Sequence, residues 1–290
     1  MFQKDRRRTW RKLMAVIWTL PLVLASAPVQ AANFTVDPSV TYNVNSNIAY
    51  DKEFVYGVIN QGGFTNTVNN YLRLSGGGTY NLSGGNLSAY SQGIGYSMSG
   101  DGTFNQSGGS NTTNYLGVGI HYGSGTYDLS DGSLSANYER IGGEGNGTFN
   151  QSGGINHTTY LYLGDNGGRG TYNLSGGSLS AQFEVFDATR FGENNFTQSG
   201  GTNTTASLLL RGIYSSFFDY FSTSTYNLSG GSLIAGTIDL YTGGTFNQTG
   251  GSLNAAIFNQ QGGTVTGVLE NRGSFNFDFN TKPPGAGTIL

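Results

Sequence analysis

Two glutamates stand where a repeated spacing could give acid–base chemistry. Glu139 and Glu184 close the related segments SANYE and SAQFE. If those segments stack two coils apart, the carboxylates lie ~9.5 Å from each other, the upper edge of the separation used by inverting glycosidases. The coil between them carries no matching acid, and the earlier counterpart is Gln92. Arg140 adjoins Glu139, so the favoured reading is an exposed polar column, and no catalytic residue is assigned. His121 and His157 are 36 residues apart, cysteine is absent, and neither histidine has a carboxylate at ligand spacing. No metal and no cofactor is assigned on that basis. Gly142-Gly143-Glu144-Gly145 starts like a calcium-binding nonapeptide, but Gly147 occupies the place of the required Asp and no nine-residue period follows. There is no GxSxG elbow and no complete phosphate-binding glycine loop.

Binding chemistry is better represented. Tyr214, Phe217, Phe218, Tyr220 and Phe221 crowd into one short insertion. Rings on a loop can stack on sugars or anchor a protein partner, and the competing reading is an apolar lid over their own coil. Thr112-Thr113, Thr158-Thr159 and Thr204-Thr205 recur on alternate coils. A flat threonine array could bind ice, although threonine is also an ordinary strand residue.

The elements that would position these residues are repeats. GTYNLSGGSLSA at Gly170 returns, closely varied, at Gly78, Gly125 and Ser224. A sister form, GTFNQSGG, starts at Gly102 and Gly147 and returns as NFTQSGG at Asn195 and GTFNQTGG at Gly244. Tyr80, Phe104, Tyr127, Phe149, Tyr172, Phe196, Tyr226 and Phe246 are therefore spaced by 24, 23, 22, 23, 24, 30 and 20 residues. Disorder offers no reason for such a return, whereas stacked repeats require it. Within TYNLS, Tyr172 and Leu174 alternate with polar residues, the mark of a half-buried strand. Gly176-Gly177 supplies a sharp turn, SLSA alternates again, and a third short apolar segment closes the unit. No helical period survives the glycines. One such coil cannot bury its apolar face alone, but a stack can. The expected fold is all-β: a single-stranded parallel β-helix, or β-solenoid, of about ten coils of ~23 residues, right-handed by the usual preference.

Stacking superposes identical side chains. Asn81, Asn105, Asn150, Asn173, Asn227 and Asn247, with Asp128 among them, fall in one column whose amides can bond along the axis. Gln106, Gln151, Gln198 and Gln248 replace Leu82, Leu129, Leu174 and Leu228 on alternate coils, which makes a two-coil super-repeat.

Residues 1–31 have the grammar of a secretory signal: a basic start, an apolar run from Leu13 to Ala27, and small residues before a cut after Ala31. Arg7-Arg8 faintly suggests twin-arginine export, with general secretion preferred for the long apolar core. Residues 32–62 are expected to form an irregular N-terminal cap, 63–276 the solenoid, and 277–290 a C-terminal tail such as truncation would leave. Six of the 14 basic residues and one of the 17 acidic ones lie before Ala31, leaving 8 basic against 16 acidic, a net of about −8. That balance disfavours nucleic acid as a partner. No other stretch is long and apolar enough to span a bilayer.

The alternating TYNLSGGSLSA and GTFNQSGG units, with IGG or LG between, resemble repeats of exported bacterial proteins. These are the autotransporter-type β-strand repeats and those associated with PEP-CTERM sorting signals. The resemblance covers about Gly76 to Gly263. It implies a parallel β-helix, export from a Gram-negative cell to the periplasm or outer surface, and a surface or matrix role. It supplies no catalytic residues, and the Pro-Glu-Pro signal and the barrel translocator of those families have no counterpart in this sequence. The expected function is a non-enzymatic secreted or cell-surface structural or adhesion rod, monomeric or associating end to end. Its partners would be cell-surface glycans or other surface proteins. The alternatives are a carbohydrate-binding protein using residues 213–221 and, less favoured, a polysaccharide-degrading β-helix using Glu139 and Glu184.

Overall fold

The computed structural model describes residues 31–98, 100–188, 192–215, 220–271 and 273–277. It is an all-β parallel solenoid of about ten turns, roughly 23 residues apart. Among the described residues twenty-one strands form one continuous parallel sheet, each strand between the two ends bonded to its counterparts one coil below and one coil above. The coil built from Asn146–Gln151 and Ile155–Leu163 shows the plan. The first strand alternates strictly, with Gly147, Phe149 and Gln151 turned inward. A Gly-Gly corner follows. The second strand then alternates, bends at Thr159-Tyr160 where both side chains are half-buried, and resumes with Leu161 and Leu163 inward. Each coil therefore has three straight faces, although the second and third run on as one strand.

The corner glycines are there for conformation and for space. Gly177 sits at φ +71°, and a Cβ on it would lie 2.4 Å from the carbonyl oxygen of Gly154 below. A Cβ on Gly176 would come within 2.2 Å of the Ser152 carbonyl oxygen. Left-handed backbone and close coil-to-coil approach are both met by glycine alone.

The core is a set of axial columns. Tyr80, Phe104, Tyr127, Phe149, Tyr172, Phe196, Tyr226 and Phe246 form one unbroken stack, with successive centroids 4.6–5.4 Å apart. Parallel rings at the strand spacing are what an in-register ladder imposes on identical positions. On the outer side of the same strands, Asn81 donates to Asn60 (2.8 Å) and Asn105 to Asn81 (2.8 Å). Asn150 donates to Asp128 (2.7 Å), Asn173 to Asn150 (2.8 Å) and Asn247 to Asn227 (3.3 Å). Every bond runs the same way, the upper Nδ2 to the lower Oδ1. Asp128 has no amide to donate, and the chain of bonds stops between it and Asn105. Thr197 interrupts the column, and Asn227 reaches instead to Asn195 (2.9 Å).

The segment expected as an irregular cap is already part of the ladder. Ala31–Val36, Thr41–Val44, Ile48–Val55 and Val58–Gln61 are strands, with Ala31 opposite Tyr50 and Thr41 opposite Val58. Its periodicity is hard to read because the exposed Asn45-Ser46-Asn47 stands where later coils turn on Gly-Gly, a corner that first occurs at Gly62-Gly63. At the other end Thr264–Gly267 and Ser274–Phe277 still pair with the coil below. Residues 1–30, where the secretory signal is read, and 278–290, most of the expected tail, lie outside the described residues. Among the described residues no helix is long and apolar enough to cross a membrane.

Candidate functional site

The most elaborate side-chain chemistry in the molecule is inside it. Three inward columns switch between apolar and polar on alternate coils, the third in opposite phase to the first two. The column that begins with Val44 reads Gln61, Leu82, Gln106, Leu129, Gln151, Leu174, Gln198, Leu228, Gln248. A second column reads Asn66, Leu87, Asn111, Leu134, Asn156, Leu179, Asn203, Leu233, Leu253. A third reads Glu53, Leu72, Gln92, Leu116, Glu139, Leu161, Glu184, Leu208, Ile238, Phe258.

These columns meet in a four-residue network that spans three coils and recurs four times. In the central copy Tyr172 donates its hydroxyl to Gln151 Oε1 (2.6 Å) and accepts from Asn156 Nδ2 (3.2 Å). Asn156 Nδ2 also donates to Glu139 Oε2 in the coil below (3.0 Å). Gln151 Nε2 bonds the carbonyls of Gly154 (3.4 Å) and Ser178 (2.9 Å), tying the side chain to the Gly-Gly corner and to the coil above. The same arrangement joins Glu53, Asn66, Gln61 and Tyr80, then Gln92, Asn111, Gln106 and Tyr127, then Glu184, Asn203, Gln198 and Tyr226. This accounts for the Tyr/Phe alternation. Each tyrosine lies above a glutamine that can accept its proton, and Phe104, Phe149, Phe196 and Phe246 lie above leucines.

Burial governs the electrostatics. Glu53, Glu139 and Glu184 are 0% exposed. Desolvation pushes Glu53 and Glu139 up to about 7 and Glu184 up to about 8, against the opposing hydrogen bonds of Asn66, Asn156 and Asn203. The exposed polar column expected at Glu139 and Glu184 is thus corrected: both side chains are core residues, separated by Leu161. Such sealed carboxyls cannot reach a polysaccharide. Arg140 turns the other way, to Asp165 (2.5 Å).

On the outside, two concave features of the described surface bear on binding. One is a broad groove along the second face, lined by Thr67, Ser88, Thr112, Ser135, His157 and Thr159 among others. The threonine pairs do not form a flat array on it. Thr112 and Thr204 point out, but Thr113, Thr158 and Thr205 are buried, and their hydroxyls bond the carbonyls of Tyr115, Tyr160 and Ser207 at the bend. The other is a cavity of about 230 Å³ lined by Tyr71, Arg73, Ser91, Gly93, Tyr96, Tyr115, Ile120 and His121. Its floor exists because Gly93 and Ser91 interrupt columns that carry Arg73 and Tyr71 below. The Arg73 guanidinium lies 4.0 Å from the Tyr71 ring centroid and 3.8 Å from that of Tyr96. No carboxylate stands within ion-pair range of it among the described residues, whereas Arg140, Arg169 and Arg211 are each paired.

Of the aromatic insertion, the backbone of Tyr214–Ser215 pairs antiparallel with Tyr220–Phe221 as a two-stranded sheet apart from the main ladder. Phe217 and Phe218 lie outside the described residues. His121 pairs with Glu144 (3.5 Å) on the surface, and no cluster of three or more metal-binding side chains occurs among the described residues.

Sequence reading missed Asn66, Asn111, Asn156 and Asn203, and also Arg73. The asparagines did leave a signal. Each stands five residues after a column glutamine, and the one glutamine that lacks it, Gln248, is followed by Leu253. Arg73 left none, because the Tyr96 ring that covers it comes from the coil above. No protein-family model matches this chain, and neither curated proteins nor solved structures include a significant match to it.

Proposed function

We propose that this chain is a non-enzymatic, exported structural or adhesive rod. The observation that carries the reading is the continuous ladder: among the described residues the coils from Ala31 to Phe277 are bonded to their neighbours, and the acids at Glu53, Glu139 and Glu184 are fully buried. A solenoid of this kind transmits load and displays three long faces, with stability coming from nearest-neighbour stacking. The test is to express the full chain in a Gram-negative host, fractionate the cells and treat intact cells with protease. A product starting after Ala31 and digested from outside supports the reading. An uncut chain retained in the cytosol overturns export.

A second reading, carbohydrate recognition, is favoured by the Arg73 cavity, in which an unpaired guanidinium is held between tyrosine rings. Aromatic walls with one cation suit an acidic sugar. The insertion at 213–221 is the other candidate for the same task. A glycan array of the wild type, Arg73→Gln and an insertion deletion separates them. Binding lost only with Arg73 assigns the cavity, binding lost only with the deletion assigns the insertion, and binding to neither variant's parent removes this reading.

A further inference from the structure

We propose that Glu53, Glu139 and Glu184 are neutral carboxylic acids in the folded rod, each bonded twice to the asparagine of the coil above, so that the rod takes up protons on folding and loosens as the medium becomes alkaline.

The chain contains its own control. At the position of these glutamates the second copy of the network carries Gln92. There the two amides bond reciprocally: Gln92 Nε2 donates to Asn111 Oδ1 (2.6 Å) and Asn111 Nδ2 donates back to Gln92 Oε1 (3.0 Å). In the three glutamate copies the return bond is kept, from Asn66, Asn156 and Asn203 to Oε2. The forward bond is missing. Glu53 Oε1 and Asn66 Oδ1, Glu139 Oε1 and Asn156 Oδ1, Glu184 Oε1 and Asn203 Oδ1 are all buried without a partner. Six orphan acceptors, two per glutamate copy and none in the glutamine copy, point to one missing donor in each. A proton on Oε1 is that donor. It turns the carboxyl–amide contact into the isostere of the Gln92–Asn111 pair and removes both orphans at once.

Nothing nearby would hold the charged form. The titratable groups facing Glu139 are Tyr127 and Tyr172, those facing Glu184 are Tyr172 and Tyr226, and those facing Glu53 are Tyr80 and Tyr50. Burial raises these tyrosines too, so none supplies a charge. No Lys, Arg or His is buried among the described residues. An isolated buried carboxylate shifts toward its neutral form under these conditions.

The sign follows from linkage. Desolvation lifts the folded-state values from the ordinary 4.5 to about 7, 7 and 8. The contribution to stability is complete below about 4.5 and is lost as pH rises to about 7–8, because the folded state binds more protons than the unfolded one.

The experiment uses the full chain. Infrared spectra at pH 6 should show a protonated carboxylic C=O band that disappears in the triple variant Glu53→Gln, Glu139→Gln, Glu184→Gln. Urea titrations from pH 5 to 8.5 should show the wild-type midpoint falling with a slope approaching three protons, a flat midpoint in the triple variant, and a steeper fall in Gln92→Glu. A wild type without the carboxylic band, or a triple variant with the wild-type slope, overturns the proposal. If the triple variant fails to fold, the infrared band and the Gln92→Glu slope still decide it.

Discussion

The tier around Glu139 and the tier around Ile238 occupy equivalent places in the same ladder and are filled differently. In the first, Glu139, Asn156, Gln151 and Tyr172 form a closed polar network in a fully buried core. In the second, Ile238 stands at the acid position, Leu253 at the asparagine position, and no tyrosine follows above Gln248, whose Oε1 accepts from the Glu270 backbone instead (3.1 Å). The acid, the asparagine and the tyrosine disappear together. A half-complete network leaves buried polar atoms unsatisfied, which costs more than an apolar core of the same shape. The acid, the asparagine and the tyrosine thus behave as one unit, and the glutamine left without them takes a backbone donor.

That comparison can be broken most sharply by making one tier half of each kind. Asn156→Leu alone strands Glu139 and deprives Tyr172 of its donor, and is expected to cost about 3 kcal/mol in urea denaturation. Converting the tier fully, with Glu139→Ile and Asn156→Leu together, should cost far less than the sum of the two single changes, with a coupling of ~2 kcal/mol in a double-mutant cycle. Additive effects would show that the network is not a unit. Phe149→Tyr tests the stack itself: its hydroxyl would sit above Leu129 with no acceptor, for a loss of about 1–2 kcal/mol. Tyr172→Phe leaves Gln151 Oε1 without its donor and should cost about 1 kcal/mol. The outer ladder should matter least. Asn173→Ala removes one partly buried amide bond to Asn150, and the melting temperature should change by no more than ~0.5–1 kcal/mol implies.

The outer and inner ladders also differed in how legible they were. Asn81, Asn105 and Asn150 recur at one place in a repeated motif, and superposing the motif superposes the amides. The inner network cannot be found that way, because its four members come from three coils and from two forms of the repeat. Only the five-residue step from Gln151 to Asn156, repeated at Gln61, Gln106 and Gln198, hinted that the polar positions act together.

The sequence by itself determined the period, the glycine corners, the alternation within each strand and hence the parallel stack, since all of these are local and repeat. What only the tertiary structure decided is which side of the wall Glu139 is on. Continuing the alternation of Leu134 and Ala136 would turn Tyr138 inward and Glu139 out. At Asn137-Tyr138 the chain bends from the second face to the third, both side chains turn outward, and the phase is reversed. A single skipped step moves every later residue to the opposite side. The residue types near the bend do not encode that step. The closure of the coil does, because Leu161 and Leu116, the register neighbours of Glu139, must face the common core.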